Sequence, residues 1–398
     1  MKISFKPHED RRLGFRAVPA RSPGADERRI AFAYELFYPY TVGGAERYYR
    51  TLATALNRSW SVSYLTRRHW KEGAHVRVEE GVEVHGLTPG RGRIRYVLAL
   101  FAHLLARGGR YEVVHCCCFP HVGVVAAWAA LLPHRRTALV VDWYEVFTRE
   151  TWRGRRGRLG DLGYLVQRLA IRCTSAAVSL SRMHERRLRA QGCRGRIVVL
   201  PGFLPEEPRP AAGRGERRNL VVFLARLVPE KRPELVPAVV AVLRRADPTW
   251  EGVIFGGGEC EPRVRAAIAE TGTGETVRLA GVVPWEEVSA ALCEARALLF
   301  PSAREGFGLA VLEAAAHGVP SVLVAGTDNA ATEVVEQGRN GVVCEAPDPD
   351  ELARAVLELA ATPDIHRRVQ AWYQESRRRL SVDNAVSLLE GLHATLRD

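Results

Sequence analysis

The sequence predicts an α/β protein of two doubly wound parallel-sheet domains facing a cleft. Three observations carry that expectation. The chain has 398 residues, more than one ordinary hydrophobic core absorbs. Short apolar runs alternate with helical stretches, which is the mark of strand–helix–strand units and a parallel sheet. The alternation comes in two series, separated by P-G-F-L-P-E-E-P-R-P-A-A-G-R-G-E-R-R at Pro201–Arg218. The proline, glycine and charge of that stretch mark a linker.

Residues 1–28 are polar, basic and aperiodic, and read as a flexible extension. I-A-F-A-Y-E-L-F-Y-P follows as a first strand, and T-V-G-G-A-E-R-Y-Y-R-T-L-A-T-A-L as a Gly-Gly turn feeding an amphipathic helix. Strand-like runs at Val62–Thr66, Val82–Gly86, Val113–Cys116 and Ala138–Asp142 build an N-terminal domain over 29–203. Beyond the linker, N-L-V-V-F-L-A, G-V-I-F-G-G-G, V-R-L-A-G, A-L-L-F-P-S, P-S-V-L-V-A and G-V-V-C each read as strands. Helices such as Pro233–Arg245 and Pro284–Ala295 fill the gaps of a second domain over 204–374. The chain from Asp364 onward is helical in pattern throughout, with a C-terminal helix of about 375–398 placed to pack back on the first domain.

The apolar content of 47% and charged content of 26% are those of an ordinary globular protein. No apolar run reaches the ~18 residues of a membrane span. The start, M-K-I-S-F-K-P-H-E-D-R-R, turns charged before an apolar core develops, so no secretory signal is expected and the chain reads as cytoplasmic. Of eight cysteines, three are consecutive, Cys116–Cys118, and none forms a C-x-x-C pair. They read as reduced thiols buried at a strand end. A metal site with His115 and His121 has no usual zinc spacing.

The net charge of +12 is concentrated. Arg149–Arg196 holds 13 arginines, no lysine and three acids, Glu150, Asp161 and Glu185. Such a segment is a solvated face, or a contact for an anionic acceptor or a membrane at the inner face of the cell envelope. Its aromatic content, Trp152 and Tyr164, is too sparse for a nucleic-acid surface. The apolar insert L-G-Y-L-V-Q-R-L-A-I reads first as a core helix, with an interfacial helix as the alternative.

The chemistry is concentrated in R-E-G-F-G-L-A-V-L-E-A-A-A-H-G-V-P, Arg304–Pro320. A strand ends at Pro301, and a helix starts at Leu309 and closes at Gly318. Glycines 306 and 308 allow close backbone approach, and the first-turn amides of the helix make an anion site suited to a diphosphate. Glu305 and Glu313 flank it. A carboxylate accepts from a pair of neighbouring hydroxyls, so a diphosphate with a hydroxylated ring at each end, a nucleotide sugar, fits the pattern.

E-G-F-G-L-x-x-L-E followed by A-x-x-x-G-x-P-x-V resembles the donor motif of the retaining glycosyltransferase family 4, of GT-B fold. G-G-A-E-R at Gly43–Arg47, L-P-G-F-L-P before the linker, and A-R-L-V-P-E-K-R at Ala225–Arg232 are similar to further motifs of that family, in order. So are F-G-G-G-E at 255–259, L-A-G-V-V at 279–283 and E-V-V-E-Q-G-R-N-G at 333–341. The resemblance implies two Rossmann-like domains. It makes Arg226 and Lys231 the holders of a departing diphosphate, and Glu305 the contact to the transferred sugar; these are the catalytic candidates. It implies donor contacts from Gly43 and Gly44, Gly256, Val283, Gly306, Phe307, Gly308 and Leu309, with Glu313 at the ribose. Two cations facing charge that grows as the glycosidic bond breaks are worth a few kcal/mol each.

Transfer with retention on one face needs no second carboxylate of the hydrolase kind, so no general base is assigned. Neither metal nor cofactor is required beside the nucleotide diphosphate sugar. The D-x-D at Asp348–Asp350 reads as a helix N-cap. On the acceptor side V-V-D-W-Y-E-V-F places Tyr144 and Glu145 where the family often has a His-acid pair. Glu46, His115 and His121 are the other acceptor-side candidates. The acceptor hydroxyl belongs to a lipid, a polysaccharide or a small natural product. The alternatives are an epimerase or phosphorylase of the same fold, and a basic nucleic-acid-binding protein.

Overall fold

A computed structural model describes residues 28–41, 43–70, 74–90, 92–204 and 217–396. The expected extension before residue 28 and linker residues 205–216 lie outside the described residues. The chain divides into two compact units. One holds residues up to Pro201 together with Val382–Asp398, the other Gly202–Ser381.

The first unit is a parallel sheet with one reversed edge. Its strands are β1 (Arg29–Ala33), β2 (Ser61–Arg68), β3 (Val76–Glu79), β4 (Val82–Pro89), β5 (Val113–Cys117), β6 (Ala138–Trp143), β7 (Ala176–Ser179) and β8 (Arg196–Val199). They lie in the order β3-β4-β2-β1-β5-β6-β7-β8, with only the β3–β4 pair antiparallel. Ile30, Ala31 and Phe32 of β1 are all fully buried, as a strand covered on both faces requires. One face carries the helices Arg93–Arg107, His121–Leu131 and Gly160–Arg172, whose Leu100, Ala127 and Ile171 join a single core with Val114 and Val141 of the sheet. Elsewhere in the unit, helix Gly44–Leu56 packs against the C-terminal helix Val382–Ala394.

The second unit has β9 (Leu220–Leu224), β10 (Glu251–Phe255), β11 (Val277–Gly281), β12 (Ala297–Phe300), a short β13 (Arg304–Glu305), β14 (Ser321–Val324), a short β15 (Asp328–Asn329) and β16 (Gly341–Cys344). The six long strands run parallel in the order β11-β10-β9-β12-β14-β16. Counted within the unit this is 3-2-1-4-5-6, the doubly wound order whose switch point falls between the first and fourth strands. The small β13–β15 ladder was not legible as strand in the sequence, because two residues carry no periodicity. Asp348 caps helix Pro349–Ala361, its side chain accepting from the amides of Asp350 and Glu351. All eight cysteines are free, and Cys116–Cys118 are buried in and just beyond β5.

Candidate functional site

In the second unit, the switch point lies where the chains leaving β9 and β12 diverge, and ligands of such sheets bind outside those carboxyl ends. The two connections are fastened to each other there. The Ala303 amide donates to the Glu230 carbonyl at 2.8 Å, Arg304 pairs with Glu230, and Arg232 reaches the Pro301 carbonyl at 3.3 Å. At the centre, Lys231 Nζ lies 2.6 Å from Glu305 Oε1 and donates to the Arg304 carbonyl at 3.0 Å. Both side chains are nearly buried, 12% and 10% exposed. The structure thus brings two of the three catalytic candidates into direct contact. Arg226, the third, sits exposed on the turn after β9 and has no side-chain partner among the described residues.

The glycines of this edge are there for stereochemical reasons. Gly308 caps helix Leu309–Ala316 with φ +94°, and a Cβ on it would come 2.5 Å from Ala331 Cβ. A side chain would therefore strain the backbone and collide at once. Gly256 has φ +126° after β10, and a Cβ there would meet the Ala225 carbonyl oxygen at 1.9 Å, so the β10 turn presses directly on the turn that carries Arg226. Phe307 is buried with its ring against Gly202. Gly306 precedes it in the turn, Leu309 opens the helix, and Val283 lies partly buried two residues past β11.

Glu313 stands partly buried in the second turn of that helix. Its carbonyl accepts from His317 Nδ1 at 2.8 Å, while His317 Nε2 meets the Ser289 hydroxyl at 2.8 Å. Burial lowers the His317 pKa, so the ring is neutral, donating through Nδ1 and accepting through Nε2. This ties the glutamate-bearing helix to helix Trp285–Glu294. Asn329, absent from the sequence-based candidates, supports the same edge: buried, it donates to the carbonyls of Ser302 at 3.0 Å and Val324 at 2.9 Å. Asparagine beside alanine in D-N-A-A-T offered a turn signal and nothing more.

In the first unit, the helix after β1 starts at Gly44, with Gly43 as an extended N-cap that offers no side chain. Glu46, its third residue, folds back over that N-cap: a Cβ on Gly43 would lie 2.3 Å from Glu46 Oε2. The helix therefore carries its own acid at its positive end, as in a capping box.

His115 does not line a pocket, contrary to expectation. It is fully buried. Its Nδ1 lies 3.0 Å from both Asp142 carboxylate oxygens and its Nε2 lies 2.8 Å from Nε2 of His393 in the C-terminal helix. Tyr49 donates its hydroxyl to Asp142 at 2.8 Å. Both ring nitrogens are engaged inside the protein, so none is left for an acceptor. Asp142 and His393 were not recognised from sequence.

Tyr144 is buried, its hydroxyl without a hydrogen-bond partner among the described residues, and burial pushes its phenol well above the ordinary range. Glu145 beside it is partly exposed. His121 opens helix His121–Leu131 in an aromatic surround of Phe119, Trp143 and Trp152. Its Nε2 has no partner among the described residues. Burial lowers its pKa from 6.5 to about 4, so the neutral ring is the folded form. The unfolded chain takes up this proton near pH 6.5 and the folded one only near 4, so stability is complete above 6.5 and is lost as pH falls toward 4. Between pH 7 and 5 the loss is about 2 kcal/mol. Urea melts of His121→Phe should show that slope reduced by this amount.

Among the described residues no group of three or more His, Cys, Asp or Glu side chains is placed to hold a metal ion. No helix there is long and apolar enough to cross a membrane.

The family models that match the two units, and the fold they share with solved structures, put the chain in the class of glycosyltransferases of GT-B fold. The "Glycosyl transferase 4-like domain" model matches residues 43–202 and the "Glycosyl transferases group 1" model residues 206–379. Together they span most of the chain, which belongs to the group 1 glycosyltransferases. It is 34% identical over 162 residues to a GDP-mannose-dependent alpha-(1-6)-phosphatidylinositol monomannoside mannosyltransferase of Mycolicibacterium smegmatis, covering 39% of this chain and 42% of that protein. It is 30% identical over 192 residues to a D-inositol 3-phosphate glycosyltransferase of Streptomyces scabiei, covering 44% and 43%. The chain thus spans less than half the length of these curated relatives. The fold matches sucrose-phosphate synthase from Thermosynechococcus elongatus with a TM-score of 0.76 at 18% identity, covering 93% of this chain and 99% of that one.

Proposed function

We propose that this protein transfers a sugar from a nucleotide diphosphate sugar to an acceptor hydroxyl, with retention of configuration and without a metal ion. The observation that carries the reading is the Lys231–Glu305 contact of 2.6 Å beside the glycine turn that opens helix Leu309–Ala316. An ammonium and the amino-terminal end of a helix favour the diphosphate, most of all as it gains charge on leaving. Arg226, exposed on the facing turn, supplies the second cation. In this reading Glu305, held by Lys231, accepts from sugar hydroxyls, and Glu313 from those of the ribose. Gly43, Gly44, Gly256, Val283, Gly306, Phe307, Gly308 and Leu309 belong to the donor side of this reading. Glu46, His121, Tyr144 and Glu145 remain its acceptor-side candidates.

The matched relatives act on a phosphatidylinositol monomannoside and on inositol 3-phosphate, both of them phosphate-bearing. A strongly basic chain suits an anionic acceptor of that kind. Melting with UDP, GDP, ADP and TDP in turn tests the donor half. One nucleotide at 100 times its Kd should add about 2.7 kcal/mol of stability, and Glu313→Lys should abolish the shift. If no nucleotide moves the transition, the reading fails.

A further inference from the structure

Of fifteen large apolar side chains that stand exposed among the described residues, ten lie on or beside three helices of the first unit, Arg93–Arg107, His121–Leu131 and Gly160–Arg172. These helices are neighbours: the middle one packs against both others, and their inner faces share one core with the sheet. Their outer faces are apolar as well. On Gly160–Arg172 the buried side is Gln167, Ala170 and Ile171, while Leu162, Leu165 and Leu169 recur at i, i+3 and i+7 and are 62%, 59% and 49% exposed. The insert expected first as a core helix therefore turns its leucines outward. On Arg93–Arg107, Tyr96, Leu100 and Leu104 face the core, yet Ile94 and Leu98 on the far side are 78% and 64% exposed. Helix His121–Leu131 carries no charged side chain apart from its first-residue histidine, which burial keeps neutral, and Trp128 is exposed on it. A solvent-facing helix layer is polar on its outer side. A continuous apolar layer marks a docking surface.

The charge around it says what docks. Residues 92–172 hold thirteen arginines against five acids, Glu112, Asp142, Glu145, Glu150 and Asp161. Asp142 is buried and Asp161 is taken by Arg149 and Arg153. Arg156, Arg158 and Arg172 are exposed, with no side-chain partner among the described residues. Further along, Arg187 and Arg189 are tied to the carbonyls of Val146 and Gly195. The part of the arginine segment next to the leucines is its first half. Leucines set among arginines, on a helix parallel to the surface, are the composition that lies in the interface of an anionic bilayer. A second copy of the same face would oppose arginines to arginines and repel.

We propose that this three-helix face docks on an anionic lipid bilayer, its leucines entering the headgroup boundary and its arginines meeting lipid phosphates. The inference is independent of sugar transfer. The full chain should co-sediment with vesicles of 70:30 phosphatidylcholine and phosphatidylglycerol and not with phosphatidylcholine alone. Substituting Leu162→Ser, Leu165→Ser and Leu169→Ser together should weaken binding at least tenfold, and Arg156→Glu with Arg158→Glu should weaken it by a similar factor. All five positions are exposed, so the circular dichroism melt should not move; a nucleotide shift retained in these variants keeps the two readings separate. Absence of vesicle binding, or full binding by the triple-serine variant, overturns the proposal. So does light scattering that shows a dimer which the triple-serine variant loses, since the face would then be a self-interface.

Discussion

Replacing Lys231 with methionine is expected to lower the rate of sugar transfer by 100- to 1,000-fold, the range seen when one charge-stabilising donor is taken from a preorganised site. The same change should lower the melting temperature. Glu305 is 10% exposed in its ion pair, and a buried charge stripped of its partner costs roughly 3–5 kcal/mol. The two effects separate in a double variant. Lys231→Met with Glu305→Gln removes the orphaned charge and should restore most of the melting temperature while leaving transfer as low as in the single variant. Recovery of activity along with stability would mean that Lys231 is a structural cation and that the diphosphate is held elsewhere.

Asp142→Ala carries the second large effect, on stability. The carboxylate accepts from Tyr49 at 2.8 Å and from His115 at 3.0 Å. Removal leaves both donors buried and unmatched, at a cost of roughly 1–3 kcal/mol each. Tyr49→Phe, which removes one donor instead of the acceptor, should cost only about 1 kcal/mol. The His115–His393 contact extends the chain of bonds into helix Val382–Ala394, so Asp142→Ala should also loosen that helix. Limited trypsin digestion is expected to cut near Arg377–Arg379 faster in this variant than in Tyr49→Phe. Equal rates in both would separate the carboxylate from the fastening of the helix.

The contrast between these two sites explains what could be read from the sequence. Arg226, Lys231 and Glu305–Glu313 fall in two short stretches, each a turn leaving a central strand. Each holds its functional residues within about ten positions, and in the second Gly308 at φ +94° marks the turn, so the stretches announce themselves locally. The bonds of Asp142 span 93 residues to Tyr49 and 27 to His115, and that from His115 to His393 spans 278. No local spacing records such a pairing, and His115 was consequently expected in a pocket. The leucines of Gly160–Arg172 failed for a different reason. A helical repeat of apolar residues defines one stripe, and the stripe is the same whether it meets a core or a lipid surface; only the position of Ala170 and Ile171 against the sheet decides. Alternation of strand and helix, by contrast, carried both sheets, because it depends on burial of the central strands on both faces.

The C-terminal helix gives the first unit an order of assembly. Residues up to Pro201 leave the ribosome early, but Val382–Asp398 arrives only after the 180 residues of Gly202–Ser381. At about 5–20 residues per second that interval lasts roughly 10–40 s. Until it ends, His115 Nε2 lacks its His393 partner and the ring of Trp60 lacks the edge-on contact of His393. Arrival of helix Val382–Ala394, and not synthesis of the sheet, is what completes the first unit.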